Sequence, residues 1–217
     1  MELPVIAIVA GCSFPIPVIA GIVRFKRLCN AMKVFLLFCI ITCTEIVGEY
    51  VLGRKHINNT FLSNYSFLIE SACIVKVYLL SVESKKVKQI IFALALLFLC
   101  IWIIDKIYFE VPNQLNDEMA IASRVFIILI SIVAIHSIVK QMNHPFTDEP
   151  IFWASSGIVI YSSGVFLIVG LSNEILKMGT SYFLAAWYIN WAMAIISNLM
   201  YTKGFFCTAK YQISSGS

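Results

Sequence analysis

Charge is what this chain lacks. Asp, Glu, Lys and Arg make up 13% of its 217 residues, and 60% are hydrophobic. A soluble domain carries about 25% charged residues, so a water-soluble globule is excluded. Other absences narrow the field further. The first apolar run has no basic residue ahead of it, and Arg24, Lys26 and Arg27 follow it, the reverse of a cleavable signal. The cysteines (Cys12, Cys29, Cys39, Cys43, Cys73, Cys100 and Cys207) form no CxxC and fall in apolar runs or near one face, so no disulfide framework is indicated. HExxH and GxSxG are absent, and His56, His136 and His144 are too dispersed to share a metal. No enzyme, cofactor or metal site is therefore expected. The last apolar run has no lysine before Lys203, which excludes a retinal Schiff base.

What is present is apolar length. A bilayer core about 30 Å thick needs about 20 apolar residues per helix. Seven stretches supply them: 3–23, 33–52, 61–81, 89–109, 119–140, 151–171 and 181–203. They are too long and continuous for β-barrel strands, which would be alternating segments of about 10 residues. The expectation is an all-α integral membrane protein with seven transmembrane helices. Residues 1–210 form a single domain and 211–217 a flexible tail. Pro15 and Pro17 should kink the first helix.

Lys and Arg set the orientation. Arg24, Lys26, Arg27, Lys33, Lys85, Lys86, Lys88, Lys140, Lys203 and Lys210 fall on one side, and Arg54, Lys55, Lys106 and Lys177 on the other. Ten against four predicts the first group in the cytoplasm, with the N-terminus outside and the C-terminus inside. The formal charge of +4 then reports topology and contact with the lipid bilayer, and no nucleic-acid partner is expected.

Ionisable side chains inside a span cost roughly 2.5–3.5 kcal/mol on insertion scales, and they persist where they face a bundle interior or a wet cavity. Glu45, Glu49, Glu70 and Arg124 share one depth band in the outer half of helices two, three and five, with Tyr65 and Asn64 near it. Glu45 and Glu49, four apart, lie on one helix face. Two readings stand side by side: a structural polar cluster, or an outward-facing ligand site. Three carboxylates against one arginine favour the second, because two acids without a cation must be protonated, hydrated or paired with a ligand cation. Lys76, nearer the inner end, reads as structural and able to snorkel. In helix six, Gly157, Gly164, Ser156 and Ser163 make a small-residue strip for close packing, with Tyr161 between them. In helix seven, Trp187, Tyr188 and Trp191 form an interfacial belt or a pocket wall, with the belt read first for Trp187 and Tyr188, while Asn190 needs a partner. The candidate ligand-binding residues are thus Glu45, Glu49, Glu70, Arg124, Tyr65, Tyr161 and Asn190. Asn58 is placed to cap helix three.

The segments NNTFLSNYSFLIES and PIFWASSGIVIYSSGVFL, with the Arg124 region, resemble a family of small Bacteroidetes-type bacterial inner-membrane proteins with about seven helices and no established activity. The matching positions are Asn58, Asn59, Tyr65, Glu70, Phe152, Trp153, Gly157 and Tyr161. The resemblance implies the fold and the bacterial inner membrane. Two functions remain. One is a sensory or signalling module that binds a small or lipid-soluble ligand in the outer half. No connection between spans exceeds ten residues, so its output is expected to pass through the basic loops to a cytoplasmic signalling partner. The other is a small transporter or exporter coupled to an intramembrane carboxylate. A pocket sealed on its inner side favours the first, and a polar path past Lys76, Ser155 and Asn198 the second. The apolar inner stretches FLLFCII and SIVAI favour the first.

Overall fold

The computed structural model describes residues 4–109, 117–141, 145–178 and 180–214, which are helical with no strand among them. The helices are α1 (Val5–Ser13), α2 (Pro15–Arg24), α3 (Asn30–Arg54), α4 (Thr60–Ser81), α5 (Lys85–Tyr108), α6 (Asp117–Gln141), α7 (Pro150–Met178) and α8 (Thr180–Ser214). Short 3-10 turns lie at Phe25–Arg27 and Phe146–Asp148. Six stretches are long and apolar enough to cross a bilayer: Val5–Arg27, Asn30–Arg54, Lys85–Tyr108, Asp117–Lys140, Pro150–Gly170 and Ser181–Cys207. This is the make-up of an integral membrane protein with helices in contact with lipid. The rod outside that set is α4, which carries Asn64, Glu70 and Lys76.

The first span stays one rod, Val5–Arg27, whose hydrogen bonding is interrupted at Phe14 while the backbone there keeps helical dihedrals (φ −63°, ψ −37°). Pro15 and Pro17 have no N–H to donate to the carbonyls of Gly11 and Ser13, so α1 stops at Ser13 and α2 starts with Pro15 at its first position. The last two helices run longer than expected. The segment SNEILKM, read as the start of a loop, consists mostly of good helix formers and extends α7 to Met178. Helix α8 continues to Ser214, into the segment read as a tail. Residues 1–3, 215–217, Glu110 and His144 lie outside the described residues.

Side-chain pairs fix the packing. Residues 42, 45 and 49 of α3 meet 70, 66 and 63 of α4, an antiparallel pair. Glu70 and Tyr78 of α4 meet Arg124 and Ser131 of α6, so these two are parallel. Pro150, Gly157 and Gly164 of α7 face Gly204, Tyr201 and Met193 of α8 in antiparallel order. Ser13 and Gly21 lie beside Asn198 and Phe205 of α8. With α2 also on α3 and α6 on α7, α1/α2, α3, α4, α6, α7 and α8 close a ring. Helix α5 stands outside it, on α4 and α6, where Phe98 stacks on Phe126 with ring centroids 4.7 Å apart. The chain starts at one end of the bundle, here the N-terminal face, and leaves from the other, the C-terminal face.

Inside the ring the half nearer the C-terminal face is packed solid. Phe35 stacks on Phe38 (5.5 Å), meets Tyr201 edge-on (5.0 Å) and touches Phe205 (5.7 Å), and all four are buried. The helices can approach this closely because glycine stands at the crossings. A Cβ on Gly157 would come within 2.5 Å of the Tyr201 ring, and one on Gly204 within 3.0 Å of the Pro150 carbonyl. Gly157 and Gly164, the glycines of the small-residue strip read from helix six, serve this contact between α7 and α8.

Candidate functional site

The polar residues of α3 and α4 form a ladder. On α3 they fall at 42, 45 and 49, one face at helical spacing. On α4 the matching positions are 70, 66 and 63. Thr42 Oγ1 lies 2.9 Å from Glu70 Oε1 and 3.1 Å from the Phe38 carbonyl. Its single proton serves one at a time, and the carboxylate is the stronger, charged acceptor. Ser66 donates to Glu45, and Ser63 to Glu49. Asn59 extends the ladder by donating Nδ2–H to the Glu49 carbonyl at 3.1 Å. Asn59, not Asn58, occupies the N-cap position of α4, and its side chain makes no cap hydrogen bond.

Arg124 enters from α6. Its Nη1 pairs with Glu70 Oε2 at 2.9 Å, and both residues are buried, Arg124 at 5% and Glu70 at 1% exposure. The guanidinium carbon lies 5.7 Å from the Phe67 ring centroid and 5.6 Å from that of Tyr161, a cation held between two aromatic faces. The one arginine of the cluster is thus committed to Glu70, the carboxylate at the inner end of the ladder. Among the described residues Glu45 and Glu49 have hydroxyl partners and no ion pair.

These groups open onto a cavity of about 360 Å³ in the half of the ring nearer the N-terminal face, within the range of small-molecule sites. Glu45, Glu49 and Ser63 form one wall, and Arg124, Phe67 and Tyr161 a second. Trp187, Asn190 and Trp191 of α8 form a third, and α1 supplies Ala7, Ala10, Gly11 and Phe14. At the interruption the Phe14 ring meets Tyr161 edge-on at 6.3 Å, and this pair floors the cavity. Beneath lies a void of only about 10 Å³, bordered by Phe38, Thr42, Asn198 and Tyr201, and then the aromatic cluster. Asn198, read as part of a polar path, donates to Ser13 Oγ at 2.8 Å. Two polar atoms at the cavity residues are buried without a partner, Arg124 Nε and Asn190 Oδ1.

Of the candidate residues, Glu45, Glu49, Arg124, Tyr161 and Asn190 line this cavity. Glu70 sits behind Arg124, on the far side of the ion pair. Tyr65 is elsewhere: it is 52% exposed, its ring 6.3 Å from Trp102 and 4.6 Å from Lys106 Nζ. It lies five residues from Glu70, about 140° around the helix at about 100° per residue, so depth alone misplaced it. Trp187 is also corrected, from interfacial belt to cavity wall, while Tyr188 is exposed. Lys76 is exposed on the outside of the ring, in an apolar groove between α4 and α5. Sequence reasoning missed Ser63, Ser66, Phe67 and Phe14. The serines carried a signal, since Ser63, Ser66 and Glu70 fall at spacings of three and four.

Among the described residues no group of three His, Cys, Asp or Glu side chains is placed to hold a metal ion. The chain has no match among protein-family models, curated proteins or solved structures.

Proposed function

We propose that the chain is a seven-helix sensory module of a bacterial inner membrane. It binds a small ligand in the cavity at the N-terminal face and passes the bound state to a cytoplasmic partner. The observation that carries this reading is the closed floor: a ligand-sized space ends on Phe14 and Tyr161, with four buried aromatic rings packed beneath them. A ligand entering there reaches a dead end bounded by six helices, and its binding energy can be spent only on their relative positions. In this reading α4 is the seventh span. Glu70 and Arg124 cancel each other inside the ring, which lowers the cost of placing them in a bilayer. The N-terminal face lies outside, because ten lysines and arginines flank the other face against four here. The resemblance to small bacterial inner-membrane proteins supports the same location.

The second reading, a small transporter, rests on the polar pair Asn198–Ser13 just beneath the floor. Cysteine accessibility separates the two. In a cysteine-free background, Val165→Cys on the cavity wall should react with an impermeant thiol reagent from outside only. Ile158→Cys, about two turns deeper on α7, should react from neither side. Labelling of Ile158→Cys from the cytoplasmic side would establish alternating access and overturn the sensory reading.

A further inference from the structure

We infer that the ligand of this cavity is a protonated organic amine with an apolar, ring-sized body and a neutral oxygen acceptor. This rests on the cavity being a ligand site, and it goes further by assigning the chemistry. The first argument is charge. Arg124 is spent on Glu70, which leaves Glu45 and Glu49, one turn apart on α3, facing the cavity with one serine hydroxyl each. A carboxylate offers about four acceptor sites. A hydroxyl fills one of them and brings no positive charge, so an ammonium supplies what both acids lack. The second argument is the opposite wall. Asn190 lines it, and its Oδ1 has no donor and lies beside Gly164 of α7, so the amide, turned into the cavity, would accept from an N–H-bearing cation and not from a quaternary one. The third is the surface between these walls. Trp187 and Trp191 stand 5.8 Å apart, with Phe14 and Tyr161 below them. Aromatic faces attract cations and cover an apolar body. The fourth is Arg124 itself, 95% buried by its 5% exposure, lining the cavity with Nε unbonded. Its charge is already met by Glu70, so this remaining N–H calls for a neutral oxygen, not an anion. An inorganic cation would leave the aromatic walls unused, and an anion would face two carboxylates.

Three probes of nearly equal size test this on the full chain in detergent. They are 2-amino-1-phenylethanol, the neutral 1-phenylethane-1,2-diol and the anion mandelate, read by quenching of tryptophan fluorescence. The amine is expected to bind at least tenfold more tightly than the diol, and mandelate more weakly than either. Glu45→Gln and Glu49→Gln should each weaken the amine about tenfold and leave the diol unchanged. Glu83→Gln, between α4 and α5, should change nothing. If Glu45→Gln fails to fold, Glu49→Gln carries the same test, its carboxylate being only half-buried. Trp187→Phe should reduce the quenching without removing the preference for the amine. Equal binding of all three probes, or an amine affinity untouched in both Gln variants, overturns the cationic assignment and leaves the cavity standing. If no probe binds while Val165→Cys labels from outside, the assignment also falls alone. If Val165→Cys does not label, the ligand-site reading falls with it.

Discussion

Replacing Glu70 by glutamine should cost stability before it costs ligand binding. The Glu70–Arg124 contact is 2.9 Å long and buried at both ends. At that distance, with an effective dielectric of about 20, the Coulomb attraction is about 6 kcal/mol. Glutamine removes the charge but keeps a carbonyl that accepts from Arg124 and from Thr42. A hydrogen bond to a charged group recovers about 1.5–3 kcal/mol. The net loss is then about 3–4 kcal/mol, within the range for leaving one buried charge unpaired. Arg124→Gln should lose a similar amount. The double variant leaves no unpaired charge, so it should be more stable than either single variant. The assay is equilibrium unfolding in mixed detergent micelles for the parent, both singles and the double. If the two single losses simply add in the double, within about 0.5 kcal/mol, the ion pair does not exist in the folded protein. A Glu70→Gln protein as stable as the parent would refute the reasoning equally.

Other consequences follow from packing. Gly157→Val should lower stability by about 1–3 kcal/mol through overpacking, since its Cβ would meet Tyr201 at 2.5 Å. Gly170→Ala, with nothing within 4 Å, should raise the melting temperature slightly through helix propensity. Phe35→Ala should cost about 3–5 kcal/mol and make Ile158→Cys reachable from the cytoplasmic side, measured by thiol labelling, because it removes the centre of the aromatic plug. Tyr65→Ala should leave amine affinity unchanged in the fluorescence titration, since its ring lies outside the ring of helices.

The rods were legible because a bilayer demands unbroken apolar length, and every expected span contains a helix. Their rotation was much less so. On α3 the buried Phe35, Phe38 and Cys39 alternate with exposed Leu37, Ile40 and Val47. Lipid tails and protein interior are equally apolar, so the side facing lipid gives no contrast in periodicity. Only polar residues break that symmetry. Spacing alone put Glu45 and Glu49 on one face, where the structure has them together. Which carboxylate takes Arg124 was not legible, because it depends on the parallel register of α4 and α6, helices separated in sequence by all of α5. The same blindness placed Tyr65 by depth and Trp187 by residue type. The ends of α7 and α8 were misjudged because polarity was taken as a loop signal, although Glu and Lys are good helix formers.

The interruption at Phe14 divides labour along the first rod. Below it, α2 is wedged between α3 and α8, with Gly21 against Leu36 and Phe205. Above it, nine residues of α1 form a panel on the cavity, latched by the Ser13–Asn198 hydrogen bond. Two backbone bonds that would splice panel to post are missing by the chemistry of proline. The backbone stays helical through Phe14, but with those bonds missing the rod bends there more easily than an unbroken helix would. If the rod bends there, the wall that gives way is the one carrying Ala7, Ala10 and Gly11, so an amphiphile dissolved in the bilayer would reach the cavity past α1 without passing its mouth.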